Sequence, residues 1–99
     1  MQNRYGKSTE DLCKALLSLQ TKEECLAFLE DICTIKEIQD ISQRLEVAQL
    51  LSQGTSYTAI CSQTGASTAT ISRVSRSYEY GSVGYKTIIA RLNEEDNDA

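Results

Sequence analysis

Apolar positions recur at intervals of three and four residues along most of the chain, which predicts an all-α fold. Ser8-Thr9-Glu10-Asp11 reads as a helix start, followed by Leu12, Leu16 and Leu19 on one face. Thr21 with Glu24 makes a capping box ahead of Cys25, Phe28, Leu29 and Ile32, because each residue can satisfy a backbone donor of the other. Thr34 with Glu37 repeats it. The next helix runs from about Ile35 to Gln53: Ile35, Ile38, Ile41, Leu45, Ala48 and Leu51 form its stripe, and Gly54 supplies a C-terminal cap. Val47 and Leu50 widen that surface beyond one face. A helix apolar on more than one face needs more than one neighbour, and in a chain this short some come from a second copy, so a homodimer is expected. Tyr85, Ile88, Ile89 and Leu92 mark a last helix, with Gly81 and Gly84 in the turn before it.

Between these outer helices, Ser56 to Tyr80 holds two short helical patterns that meet at a glycine. Ser56 can cap a helix from Tyr57 to Thr64, Gly65 can end it in a left-handed turn, and Ser67 can cap the next. Ile71, Val74 and Tyr78 then share one face, while Thr68, Ala69, Ser72, Arg73 and Arg76 lie opposite. Ile60, Cys61, Ile71 and Val74 would close the angle between the two helices. This is the arrangement that helix-turn-helix DNA readers require. The alternative is an ordinary helical hairpin with a solvated polar face, but such a face usually carries Glu and Lys. Ser67-Thr68-Ala69-Thr70-Ile71-Ser72 is poor in helix propensity and suits a helix that must approach something closely.

The 99 residues suit one domain, and the absence of proline agrees with long helices. Cys13, Cys25, Cys33 and Cys61 stand 12, 8 and 28 residues apart, with no CxxC and no histidine to complete a zinc site. They read as small buried hydrophobes, and no metal or cofactor is expected. With no signal peptide or transmembrane run, the expected location is the cytoplasm, away from membranes. The net charge of −4 comes from the C-terminus: without Glu94, Glu95, Asp96 and Asp98, ten acidic residues stand against ten basic ones. From Gly54 to Lys86 the balance reverses, with Arg73, Arg76 and Lys86 against Glu79 alone. That excess can meet phosphates, while residues 94–99 read as an acidic, disordered tail.

Thr34 through Tyr78 resembles the core of the tryptophan repressor, and the whole length is similar to the TrpR-related YerC/YecD proteins. The stretches that carry the likeness are GASTATISR, from Gly65 to Arg73, and QRLEVAQLL, from Gln43 to Leu51. The resemblance implies a single domain over 1–99 and an intertwined all-α homodimer with a helix-turn-helix at each end. Residues 1–53 would mainly dimerise, 54–80 would form the helix-turn-helix, and 85–93 the C-terminal helix. Double-stranded DNA would be the partner, as a palindromic operator read by the dimer. Thr68, Ala69 and Ser72 would face base edges, with Ser67, Arg73 and Arg76 positioning the helix on phosphates and Tyr57, Thr58 and Thr70 completing the contact set.

The resemblance also implies an effector pocket. Arg44 and Arg73 fall where two arginines sandwich an indole in the repressor, Arg73 also meeting the ligand carboxylate, and Thr34 and Ser77 match pocket positions. Val74 departs from the pattern, because the repressor has glycine there, beside the bound amino acid. Taken on their own, Arg44 reads equally as a surface residue in an i, i+4 or cross-helix ion pair and Val74 as core packing. The expected function is therefore a transcriptional repressor that does not depend on L-tryptophan, with any effector left open. A tryptophan-responsive repressor and a dimeric interaction module that keeps the fold without reading DNA are the alternatives. An enzyme is not expected: no histidine, Gly-rich phosphate loop or carboxylate cluster outside the tail supplies acid, base or metal chemistry.

Overall fold

The computed structural model describes residues 4–98, and among them every regular element is helical. In chain order these are α1 (Lys7–Ser18), α2 (Lys22–Ile32), α3 (Ile35–Ser52), α4 (Tyr57–Thr64), α5 (Thr68–Tyr80) and α6 (Gly84–Asp98). The chain divides into two compact units, Met1–Ile38 and Gln39–Ala99, so the division falls inside α3 and not at its end.

In the first unit the helix boundaries are set mainly by side-chain caps. Thr21 Oγ1 accepts from Glu24 N at 3.0 Å while Glu24 Oε1 accepts from Gln20 N at 2.9 Å. Thr34 Oγ1 accepts from Glu37 N at 3.1 Å, and Glu37 Oε1 returns to Thr34 N at 2.8 Å. Helix α1 starts at Lys7, one residue before the expected Ser8-Thr9-Glu10-Asp11 start. Gly6, at φ +96°, is its N-cap without a side-chain hydrogen bond, and Ser8 lies within the helix. A Lys7–Asp11 ion pair at 3.1 Å bridges its first turns. Neither α1 nor α2 buries a residue, and Leu17 and Ile35 are 86% and 77% exposed.

The second unit holds the core. Val47 and Ala48 of α3, Ile60 of α4, Ala66 of the turn, Ile71 and Val74 of α5 and Ile89 of α6 form one buried cluster, with Leu45, Leu50, Leu51, Cys61, Tyr78 and Tyr85 packed around it. Thus the apolar residues expected to close the α4–α5 angle do pack together, Cys61 at the margin. The α3 helix stops at Ser52, one residue before the expected Gln53, and Gly54 at φ +79° turns the chain away.

The acidic end differs from expectation. Helix α6 starts at Gly84 and continues beyond Leu92 through Glu94, Glu95 and Asp96 to Asp98, so the expected disordered segment is helical up to Asp98; residue 99 lies outside the described residues. No glycine or proline follows Leu92 to stop the helix. Among the described residues, no helix is long and apolar enough to cross a membrane, and no group of three or more Cys, Asp or Glu side chains could hold a metal ion.

Candidate nucleic-acid interface

The turn between α4 and α5 is built from short polar side chains bonded to backbone. Ser56 Oγ accepts from Ala59 N at 3.2 Å and so starts α4. At the other end, Gly65 sits at φ +76° and donates to Cys61 O at 2.9 Å, an ordinary left-handed closure of a helix. The Thr64 hydroxyl donates to Ile60 O at 2.7 Å and accepts from Ala66 N at 3.0 Å, while Gln43 Nε2 of α3 donates to Thr64 O at 3.2 Å. Ala66 is buried, pinning the turn to the core. Ser67 Oγ then accepts from Thr70 N at 3.1 Å, which fixes where α5 begins.

From that start, the 3.6-residue period of the helix decides what α5 presents. Ile71 and Val74 face inward and are 0% and 1% exposed. Thr68, Ala69, Ser72, Arg73 and Arg76 are all exposed on the other side, as are Ser67 at the cap and Tyr57 and Thr58 at the start of α4. Thr70 is half-buried, and its hydroxyl accepts from the Ser67 hydroxyl at 3.1 Å, so part of its polar capacity belongs to the cap. Among the described residues no ion pair occupies the guanidinium of Arg73 or Arg76. The result is a solvent-facing helix side carrying methyl groups, hydroxyls and two cations. Tyr80 extends it. Tyr80 is absent from the contact set expected from the sequence, yet it is 87% exposed and follows Arg76 by four residues and Arg73 by seven. That spacing was the available signal.

Lys86, the third cation of this region, stands over the Tyr78 ring at 5.3 Å from its centroid. It ties the first turn of α6 to the end of α5. Between them lie Gly81, the C-cap of α5, and Val83, whose φ of +70° is a strained conformation for a β-branched residue.

The five effector-pocket candidates are placed as follows. Thr34 is the N-cap of α3, with hydroxyl and amide both committed to the capping box. Arg44 is half-buried and, among the described residues, makes no ion pair. Arg73 is exposed, and Val74 is inside the core cluster. Ser77 is exposed and lines a groove of about 510 Å³ with Leu45, Gly81, Ser82, Gly84, Tyr85 and Ile88, to which Arg44, Arg73 and Val74 do not contribute.

Comparison with known proteins agrees with this architecture. The chain is 47% identical over 94 residues to the uncharacterized protein YerC of Bacillus subtilis (strain 168), covering 95% of this chain and 90% of that one. A crystal structure of a candidate Trp repressor from Staphylococcus aureus matches with a TM-score of 0.86 at 48% identity, over 89% of this chain and 88% of that one. A TrpR-like protein from Eubacterium eligens ATCC 27750 matches with a TM-score of 0.87, also at 48% identity, over 90% and 92% of the two chains. A family profile described as Trp repressor protein matches residues 7–93, and with a helix-turn-helix exposed on an all-α scaffold, the chain belongs to the Trp repressor family, whose members are regulators and not enzymes.

Proposed function

We propose that this protein is a cytoplasmic transcriptional repressor that binds a palindromic operator as a homodimer and does so without L-tryptophan. The observation that carries the reading is the outer side of α5. Thr68, Ala69, Ser72, Arg73 and Arg76 are exposed together on a helix whose start is fixed by Ser67 and whose inner side is locked in the core. Side chains of this size let the helix backbone approach base edges in the major groove, and the arginines neutralise phosphates on either side. The contact set includes Tyr57, Thr58, Ser67 and Thr70 at the two helix starts, which lie toward the DNA backbone in this docking mode.

Dimerisation is supported by the first unit, where two helices with apolar residues bury none of them. Exposed leucines and isoleucines at this density call for a covering surface, and a two-fold partner would also set the two α5 helices to read half-sites about one helical turn apart. Independence from tryptophan is supported by Val74, which fills its place in the core with an isopropyl group where the family pattern has glycine beside the ligand. The test is a gel-shift selection from random duplexes, repeated at several salt concentrations and with or without L-tryptophan. A two-fold symmetric consensus, bound equally in both conditions, is expected. Failure to enrich any sequence would leave a dimeric interaction module as the better description.

A further inference from the structure

Tyr80 is the last residue of α5 and continues the outward stripe Ala69, Arg73, Arg76 at spacings of four, three and four. Its ring is 87% exposed beside the methyls, hydroxyls and guanidiniums of that stripe. The helix ends directly after it, at Gly81, so no following turn of α5 covers the ring. Geometry then separates its role from that of the first turn. Eleven residues of helix span about 16 Å, whereas the major groove is about 12 Å wide. With Ala69 among base edges and the helix axis running across the groove, Tyr80 is carried past the groove and over a sugar-phosphate strand. Glu79, also exposed, lies about 100° from Tyr80 around the helix axis, on the line of Ser72 and bordering the stripe.

We propose that Tyr80 is a DNA-positioning residue whose phenolic hydroxyl donates a hydrogen bond to a backbone phosphate oxygen, extending the contact stripe by one helical turn beyond Arg76. This rests on the reading of α5 as a recognition helix. A neutral donor differs from the arginines in a measurable way: it contributes affinity at every sequence but releases no counterion, so it leaves the salt dependence of binding unchanged.

The experiment compares the full-length wild type, Tyr80→Phe and Arg76→Ala on a selected operator and on an unrelated duplex, across a salt series. Tyr80→Phe keeps the ring and removes only the hydroxyl of an exposed residue, so the fold is retained and a circular dichroism spectrum checks it. Loss of one such hydrogen bond in each subunit, two per dimer, should weaken binding roughly five- to 150-fold, equally on both duplexes and at an unchanged salt slope. Wild-type affinity in Tyr80→Phe, with Arg76→Ala impaired, would overturn the assignment of Tyr80 and leave the regulator reading standing. A changed base preference in Tyr80→Phe would also overturn it, by placing the ring among the bases. Absence of DNA binding by the wild type would overturn the regulator reading, and this inference with it.

Discussion

The hydroxyls of Ser67 and Thr70 are bonded to each other at 3.1 Å, and Ser67 Oγ also accepts the Thr70 amide at 3.1 Å. One serine therefore both starts α5 and holds the side chain of a residue in its first turn. Ser67→Ala removes both bonds, and a lost N-cap costs about 1 kcal/mol. The expected result is an unfolding free energy lowered by that amount, read from a lowered denaturation midpoint, together with weaker DNA binding, because the first turn presents Thr68 and Ala69. Ser67→Asp, which can still cap, should recover stability but bind DNA less well, since it sets a negative charge beside phosphates. An unaltered midpoint in Ser67→Ala would show that the cap contributes nothing.

Gly65 and Gly81 are required for different physical reasons, and their alanine variants should differ accordingly. At Gly65 a Cβ meets nothing within 4 Å, so the penalty is the left-handed backbone at φ +76°, about 1–2 kcal/mol. At Gly81 the φ of −86° suits any residue, but a Cβ would run into the Ser77 carbonyl oxygen. Backbone must then shift at the α5–α6 corner. Gly65→Ala should lower stability with little change in structure, whereas Gly81→Ala should also disturb the Tyr78–Lys86 contact, visible as changed tyrosine signals by NMR. Gly65→Asn, which tolerates the left-handed region, should restore part of the lost stability.

Most of what surrounds the candidate interface was legible because it depends on short-range chemistry. Ser56, Gly65 and Ser67 act within four residues of themselves, and the same is true of the Thr21–Glu24 and Thr34–Glu37 boxes. The start of α1 lies within one residue of the Ser8-Thr9-Glu10-Asp11 signal, but its N-cap is a glycine. A serine followed by acidic residues has cap chemistry, but Gly6 had already turned the chain and Ser8 fell inside the helix. At the C-terminal end charge alone suggests disorder, whereas α6 meets no breaking residue after Leu92. Tyr80 is hidden from the apolar periodicity of α5, which runs along the inner face and ends at Tyr78. Burial of Val74 as opposed to solvent exposure depends on Val47 and Ile60 in other helices, which a one-dimensional pattern only suggests.

Arg76 and Thr68 should separate affinity from specificity. Both are exposed on α5, but one is a cation and the other a methyl-bearing hydroxyl. Arg76→Ala should weaken binding to all duplexes and flatten the slope of log affinity against log salt by about 1 per subunit. Thr68→Ala should leave that slope unchanged and alter which bases are preferred at one position of each half-site. Equal behaviour of both variants and the wild type in a salt-titrated gel shift would show that this side of α5 is not the contact surface.

Charge placed on the first unit should break the dimer. In an isolated protomer, glutamate at Leu17 or Ile35 would be harmless, since those side chains are 86% and 77% exposed. If a second copy covers them, each substitution buries an unpaired carboxylate, which costs several kcal/mol and so raises the dissociation constant by on the order of a hundredfold or more. Sedimentation equilibrium is expected to give a dimer for the wild type at micromolar concentration and a shift toward monomer for Leu17→Glu and Ile35→Glu. A wild type that sediments as a folded monomer, or variants that dimerise as well as it does, would contradict this.

Val74 provides the sharpest test of ligand independence. Its side chain is 1% exposed among Val47, Ile60 and Ile71, so the space beside α5 is already packed. If the family's ligand position beside residue 74 is kept, an indole there would have to displace an isopropyl group, and overpacking of that kind costs about 1–3 kcal/mol. Stacking on Arg44 and Arg73 would return no more than about 0.5–2 kcal/mol. The balance predicts no useful affinity for L-tryptophan. The chain contains no tryptophan of its own, so added ligand is the sole indole in a fluorescence titration. Wild type should show no saturable change at micromolar ligand and unchanged DNA binding. Val74→Gly should lose at least about 2 kcal/mol of stability from the cavity and the helix-interior glycine, and, if the valine is the obstacle, should gain a saturable signal. Micromolar binding by the wild type, with tighter operator binding in its presence, would instead make this protein a tryptophan-responsive repressor.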